Sequence, residues 1–467
     1  MALDAIVRDG TSGTGLAVLA NGSVRVAPPT DNSRFYVHFP HDDGSLDAFE
    51  RLRVSEQRNV FEYSFGAVPP NLATTLWEST AVASGTIALT TNLYGTDLNT
   101  LTTAGTGYWI QSYNHVRYRP GVGVLMRFTF NFNDLLTNVR MRLGMFTDQG
   151  TFPSTAGDGF YLEADGAAVS LVRRYSTTQA TGLEERVLRN AWNLDTMDGN
   201  GPSGVTIDWT KAQHFVCEYQ WLGVGFIRFG FDCGGVDGIV WCHEFNASNN
   251  ITGPWSRTGS LPVRAEVFTT GVAPQAGKLT LINVVVQHEG AIEDRQFRYF
   301  GANSGATLRT VGTAAGLFPL MSLRAASTND LTKRARIIPS SISLSVITAG
   351  TGTTSIQVAI LMLPTPNTGA TFAVTTGGSV TTVDIAATAT TAVTGTIIQN
   401  WIIPNTVGTY TFNLDELGTN INLQGYNAAG AVGINNASVL TLAAGTLTGT
   451  TTAAPAFAAS INWKEIV

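Results

Sequence analysis

Apolar residues along this chain either alternate with polar ones or gather in short β-branched and aromatic runs, set off by Gly, Asn and Pro. Helical spacing at i, i+3, i+4 and i+7 is scarce, so the pattern predicts strands nearly throughout. Residues 16–27, LAVLANGSVRVA, put Asn21-Gly22 between two apolar runs, which predicts a tight N-terminal hairpin. A polar stretch from Pro28 to Gly44 follows, then LDAFERLRVSEQ at 46–57, which is helical or turn-like in character. Beyond it, strands are expected around 116–132, 139–146, 167–175, 214–221, 226–233 and 279–288, at the intervals of a β-sandwich. A second set is expected at 341–349, 354–363 and 394–403. The fold class is therefore all-β: two β-sandwich domains, jelly-roll-like, with a short N-terminal arm. The expected divisions are an arm over 1–45, a central sandwich over 46–295, a linker over 296–317 and a C-terminal sandwich over 318–467.

Composition sharpens this picture in one place. Of the 467 residues only 13% are charged, while 44% are hydrophobic, so the chain is poor in charge without being disordered. From residue 338 onward the only charged side chains are Asp384, Asp415, Glu416, Lys464 and Glu465. Strand edges there lack the charges that normally discourage further pairing, so another subunit is expected to cover them. The net charge of −6 supplies no attraction to nucleic-acid phosphates or anionic membranes. No apolar run is long enough to insert in a membrane, and the start of the chain does not resemble a signal peptide. The three cysteines, Cys217, Cys233 and Cys242, lack zinc-site spacing and read as reduced, partly buried thiols. Trp77, Trp109, Trp192, Trp209, Trp221, Trp241 and Trp255 fall in the central region, where they are expected to anchor the core and strand ends.

Several segments in fixed order carry a resemblance: LDAFERLRVSEQ (46–57), WNLDTMDGNGPSGVTIDW (192–209), YQWLGVGFIRFGF (219–231), CHEFNASNN (242–250), SLPVRAEV (260–267) and NVVVQHEG (283–290). Together they resemble a module of structural proteins from tailed-bacteriophage virions. The resemblance implies a non-enzymatic subunit of a tail, collar or fibre-type appendage. Its expected partners are copies of itself, with a trimer by analogy, and other virion proteins. It implies a virion location after assembly in the host bacterial cytoplasm. The alternatives are a capsid decoration protein on the head surface, or a receptor-binding adhesin or depolymerase acting on host surface glycan.

Catalytic chemistry has candidates, each with a structural competitor. Paired carboxylates on a β scaffold would suit glycoside cleavage, and Glu184-Glu185, the loop acids Asp195, Asp198 and Asp208, and His243-Glu244 are the places to look. Asp beside Gly commonly satisfies turn backbones, and neighbours on a strand point to opposite faces. The loop 194–204 lacks the closing Glu of an EF-hand, and GTSGTG at 10–15 lacks the Lys-Ser/Thr of a phosphate loop. No catalytic, cofactor-binding or metal site is therefore assigned, and no cofactor is expected. Arg117, Arg119, Arg127, Arg140 and Arg142 alternate along strands and are read as exposed faces or intersubunit ion pairs. Residues 214–245 should form a three-strand meander, with paired positions summing to 447 across its first turn and to 472 across its second. That register would set Tyr219, Arg228 and Glu244 side by side, align Cys217, Gly230 and Cys242, and leave all three thiols free.

Overall fold

A computed structural model of the chain describes most of residues 57–466. It leaves out 74–75, 91–92, 148–156, 177–181, 235–237, 247–252, 291–297, 306–307, 312–315, 326–335, 353, 364–370, 375–378, 380, 385–391, 415–438 and 448–452. Before residue 57 it describes only two short strands, β1 (Ala17–Val18) and β2 (Val24–Arg25). These pair antiparallel, with Ala17 facing Arg25 and Val18 facing Val24. The hairpin expected around Asn21 is thus present, while residues 19–23 and the segment 46–56 lie outside the described residues.

The chain then runs through β3 (Gln57–Ser64), β4 (Trp77–Val82), β5 (Thr86–Thr90), β6 (Gly95–Asn99), β7 (Gly107–Val116), β8 (Gly123–Asn131), β9 (Val139–Phe146), β10 (Gly159–Asp165), β11 (Ala168–Ser176) and β12 (Gly182–Leu188). A single 3-10 turn at Arg189–Ala191 leads into β13 (Gln213–Tyr219), β14 (Ile227–Gly234), β15 (Gly238–Phe245), β16 (Leu261–Thr269) and β17 (Lys278–Glu289). These strands form two antiparallel sheets. One has seven strands in the order β12-β11-β10-β9-β16-β7-β4; the other has the order β15-β14-β13-β8-β17-β6-β5, with β3 also paired to β17. Alternation decides which side of each strand is buried between them. On β9, Met141, Leu143 and Met145 join the core shared with Phe128 and Phe130 of β8, while Arg140 and Arg142 face away. Trp77, Trp192, Trp209 and Trp255 anchor the same core. Each buried Phe, Leu or Met contributes roughly 1.5–3 kcal/mol, which makes this interior the main support of the sandwich.

A second sandwich has its own core. It is built from β18 (Arg298–Asn303), β19 (Arg309–Thr310), β20 (Phe318–Ala325), β21 (Arg336–Thr348), β22 (Ser355–Leu363), β23 (Ala373–Val374), β24 (Thr381–Asp384), β25 (Thr396–Pro404), β26 (Gly408–Asn413), β27 (Val439–Thr446) and β28 (Ala456–Ile466). One sheet runs β18-β28-β21-β26 with β19 beside β28, and the other runs β23-β24-β20-β27-β22-β25. Leu320, Ile342, Ile360, Leu442, Phe457 and Trp463 are among the side chains buried between them. The span 296–317 is therefore more than the linker expected from its sequence: β18 and β19 both pair with β28, so the strands of this sandwich begin at Arg298 rather than near 318.

The meander at 213–245 forms, but one of its registers differs from expectation. β13 and β14 pair with positions summing to 446: Glu218 faces Arg228, and Cys217 faces Phe229. The connection uses five residues, 221–225, with Gln220 N–H donating to Phe226 O and Gly225 N–H to Trp221 O. Trp221 and Leu222 both take positive φ, at 35° and 42°. That left-handed pair adds the residue that shifts the register. Across the second turn Arg228 faces Glu244 and Phe229 faces His243, as the sum of 472 requires, until a bulge after Phe229 sets Gly230 against Trp241. The side-by-side set is therefore Glu218, Arg228 and Glu244, with Tyr219 on the other face. Cys242 falls at the bulge, its Sγ 3.1 Å from Phe229 O, and all three thiols are free.

Candidate functional site

The outer face of the seven-stranded sheet carries charges that are almost completely buried. Its central row crosses four strands as Trp109, Glu266, Arg142 and Glu163. Arg142 thus stands between two carboxylates; its Nε donates to Glu163 at 2.7 Å and its Nη1 to Glu266 at 2.9 Å. In the next row Arg264 pairs with Glu266 at 2.9 Å and donates to Gln111 Oε1 at 3.1 Å, its guanidinium lying 4.6 Å from the Trp109 ring. Towards the sheet edge Arg174 Nε donates to Glu184 at 2.8 Å, Tyr161 Oη to the same carboxylate at 2.9 Å, and Arg186 to both Glu163 and Glu184. Gly144 faces both Tyr161 and Arg264, and a Cβ there would come within 2.5 Å of Phe160 O. The missing side chain lets the rings and guanidinium groups close over the sheet.

The electrostatics follow from this packing. Burial alone would raise the carboxylate pKa values, but the neighbouring arginines outweigh it. Glu163 and Glu266 are held below the ordinary range, and Glu184 is lowered to about 2 by Arg174, Arg142 and Arg186. Burial would likewise lower the Arg142 pKa, yet Tyr161, Glu266, Glu163 and Glu184 raise it overall. Burial pushes Tyr161 up to about 12. The face therefore holds ionised carboxylates locked by arginines and a neutral phenol. None of these carboxyls has the raised pKa that a general acid for glycoside cleavage requires.

The outer face of the eight-stranded sheet differs at its two ends. At the β15 edge, the Asn193 side chain acts as a one-residue strand: its Nδ2 donates to Glu244 O at 2.9 Å, and Glu244 N–H donates back to its Oδ1 at 2.8 Å. Leu194 and Asp195 N–H groups donate to Cys242 O. Asn193 N–H donates to His243 Nδ1 at 3.2 Å, and burial depresses the His243 pKa to about 4, so the ring is a neutral acceptor. Towards the other end of the face lies an open groove of about 730 Å³, crossing β3, β17, β8 and β13. Cross-strand register sets Ser64, Asn283, Thr129 and His214 in one row along it, and Glu62, Val285 and Arg127 in the next. Arg127 is tied to Asp232 at 2.9 Å.

The residues singled out from sequence are dispersed by this arrangement. Glu184 and Glu185 point to opposite faces, Glu184 into the buried charges and Glu185 onto Arg173. Asp195 accepts Met197 N–H at 2.6 Å and Ser203 N–H at 2.8 Å, and a Cβ on Gly201 would come within 2.1 Å of its carboxylate. Asp198 accepts Asn200 N–H at 3.0 Å and Asp208 accepts Thr210 N–H at 3.0 Å, so all three acids serve their own turns. His243 and Glu244 also part company, one against Phe229 and the other beside Arg228. Among the described residues no cluster of His, Cys, Asp or Glu could hold a metal ion. Arg142 corrects the reading of the arginines as exposed or intersubunit, because it is buried and paired within the chain. Glu163, Glu266, Arg174 and Arg264 were not singled out. For Glu163, Glu266 and Arg264 the signal was present as charge at every second position in YLEAD and VRAEV, strands that are otherwise apolar; Arg174, beside Arg173 in LVRRY, carried no such alternation.

Comparison with known proteins finds no matching family model and no matching curated protein. Solved structures similar to this chain include an endo-1,3-beta-glucanase from Streptomyces sioyaensis, 11% identical with a TM-score of 0.35, covering 51% of this chain and 98% of the glucanase. The potassium-bound carbohydrate recognition domain of Emp46p is 8% identical, TM-score 0.32, covering 51% of this chain and 100% of that domain. A legume lectin-like domain from Entamoeba histolytica is 7% identical, TM-score 0.30, covering 50% of this chain and 98% of that one. At that level the likeness decides nothing about activity or ligand.

Proposed function

We propose that this chain is a non-enzymatic structural subunit of a tailed-bacteriophage virion, of the tail, collar or fibre type, which works by associating with copies of itself and with other virion proteins. The observation that carries the assembly role is the run Thr396–Asn413. It supplies β25 to the edge of one sheet and β26 to the edge of the other, and it contains no charged residue. Ile397, Ile402 and Val407 are exposed along it, at 48%, 64% and 70%. Among the described residues neither outer edge has a strand partner. An open, uncharged edge in both sheets invites pairing with another chain.

Two further features support the reading. The carboxylates of the seven-stranded face are neutralised by arginines, which suits a scaffold better than acid-base chemistry. The segments behind the phage resemblance that are described also have architectural roles, since Asn193 and the CHEF run close the β15 edge. Labelling phage particles with an antibody to this chain, read by electron microscopy, tests the location. Signal at a fixed position on the particle is expected, and particles without the chain would overturn the proposal. Incubation with host polysaccharide tests the enzymatic alternative: reducing ends released by the wild type but not by a Glu184→Gln variant would replace it.

A further inference from the structure

The two outer sheet faces use their polar side chains in opposite ways. On the seven-stranded face every guanidinium and carboxylate described above is already engaged. In the groove of the eight-stranded face, Ser64, Asn283 and Thr129 have no side-chain hydrogen-bond partner among the described residues. His214, next in the row, lies 3.9 Å from Asp232, too far for a hydrogen bond. These four stand on adjacent strands, β3, β17, β8 and β13, so each is about 4.8 Å from the next, and the row spans roughly 14 Å.

The chemistry of the row selects a ligand class. Two hydroxyls, an amide and an imidazole each both donate and accept. Burial lowers the His214 pKa despite the opposing pull of Asp232, so its ring is neutral at neutral pH. Arg127 is matched by Asp232, and the remaining charge on the lining is Glu62, itself accepting Asn59 Nδ2 at 2.6 Å. Among the described residues of the lining, no unmatched cation remains to hold phosphate or sulfate. An extended peptide advances about 3.3 Å per residue and so falls out of step with the row, whereas one pyranose ring is comparable in length to one inter-strand step. Val285 and Val68 provide apolar surface for the C–H faces of such rings.

We propose that this groove binds a neutral oligosaccharide laid across the strands, its successive hydroxyl groups meeting Ser64, Asn283, Thr129 and His214. Affinity at one site would be low, and many copies in an assembly would multiply it. The proposal does not depend on where the chain resides.

The test is titration calorimetry of the full chain against a panel of neutral tri- to hexasaccharides, with phosphate, sulfated sugars and an extended peptide as controls. At least one neutral sugar should bind at millimolar concentration or better. Asn283→Leu and Thr129→Val should each weaken it about tenfold, the loss of one or two ligand hydrogen bonds. Exchanging these groove side chains, exposed at Asn283 and half-buried at Thr129, should leave the thermal midpoint and near-ultraviolet circular dichroism nearly unchanged, and Ser64→Ala provides a milder second variant. Three outcomes would overturn the proposal: no neutral sugar bound at millimolar concentration, binding that all three variants leave intact, or a groove that takes only the peptide or the anions.

Discussion

Arg142 is buried, and both carboxylates it serves are buried with it, so its loss leaves Glu163 and Glu266 without their shared partner. Arg186 and Arg264 stay beside them, so removing Arg142 takes one of two hydrogen-bonded guanidinium partners from each buried carboxylate, which costs at most the roughly 3–5 kcal/mol of breaking a fully buried pair. Arg142→Ala should lower the urea midpoint accordingly. Arg142→Lys should recover little of the difference, since one ammonium group cannot reproduce a guanidinium fork between two strands. The same pairing sets an acid response. Glu163, Glu184 and Glu266 have folded pKa values below their unfolded ones. The stability they contribute is therefore complete above about pH 4.5 and is lost as pH falls through the folded values, with Glu184 protonating near 2. Urea midpoints measured from pH 6 down to 2 should fall mainly in the lower half of that range, and Glu184→Gln should flatten the fall. A profile unchanged by that substitution would dissociate Glu184 from the effect. Such chemistry is hard to read from sequence. A charged residue alternating with apolar ones looks like a solvated strand face, and only cross-strand register reveals that opposite charges face each other and close over.

At the scale of elements, the strands were legible and their registers were not. β9, β14, β17 and β22 lie within one residue of the runs expected from alternation, because that signal is strong wherever one face is buried. The β13–β14 register turned on Trp221 and Leu222 in the left-handed region, where bulky residues are seldom found, and the bulge at Cys242 left no trace in the pattern. One expectation survived the changed geometry. Cys217 and Cys242 are buried, and burial pushes both thiol pKa values up, whereas Cys233 is exposed. A thiol reagent should therefore label one cysteine quickly in the native protein and all three after unfolding without reductant. Two missing thiols in the unfolded count would mean a disulfide and would refute the arrangement of the meander.

At the scale of the whole molecule, the apolar interior divides in two. Among the described residues, the buried side chains of one core run from Phe61 to Val286 and those of the other from Val311 to Trp463, with Phe300 and Ala302 packed against the second. The strands divide the same way, since among the described residues no sheet mixes β3–β17 with β18–β28. Each sandwich thus holds the contacts that make a domain cooperative, and each should fold when the chain is cut between them, near residue 293. The charges divide as well: the first sandwich contains the arginine–glutamate rows, while β25 and β26 of the second are edge strands without a charged residue. If those edges drive association, the two fragments should behave differently. A fragment of residues 46–293 should be a monomer by light scattering at micromolar concentration and should unfold in one urea transition. A fragment of residues 294–467 should associate, as should the full chain. Placing a charge on the edge, by Ile397→Lys together with Ile402→Lys, should shift the full chain towards monomer with little loss of stability, because both side chains are exposed. Association that follows the first fragment, or that survives both lysines, would move the interface away from Thr396–Asn413 and remove the main support for assembly through the second sandwich.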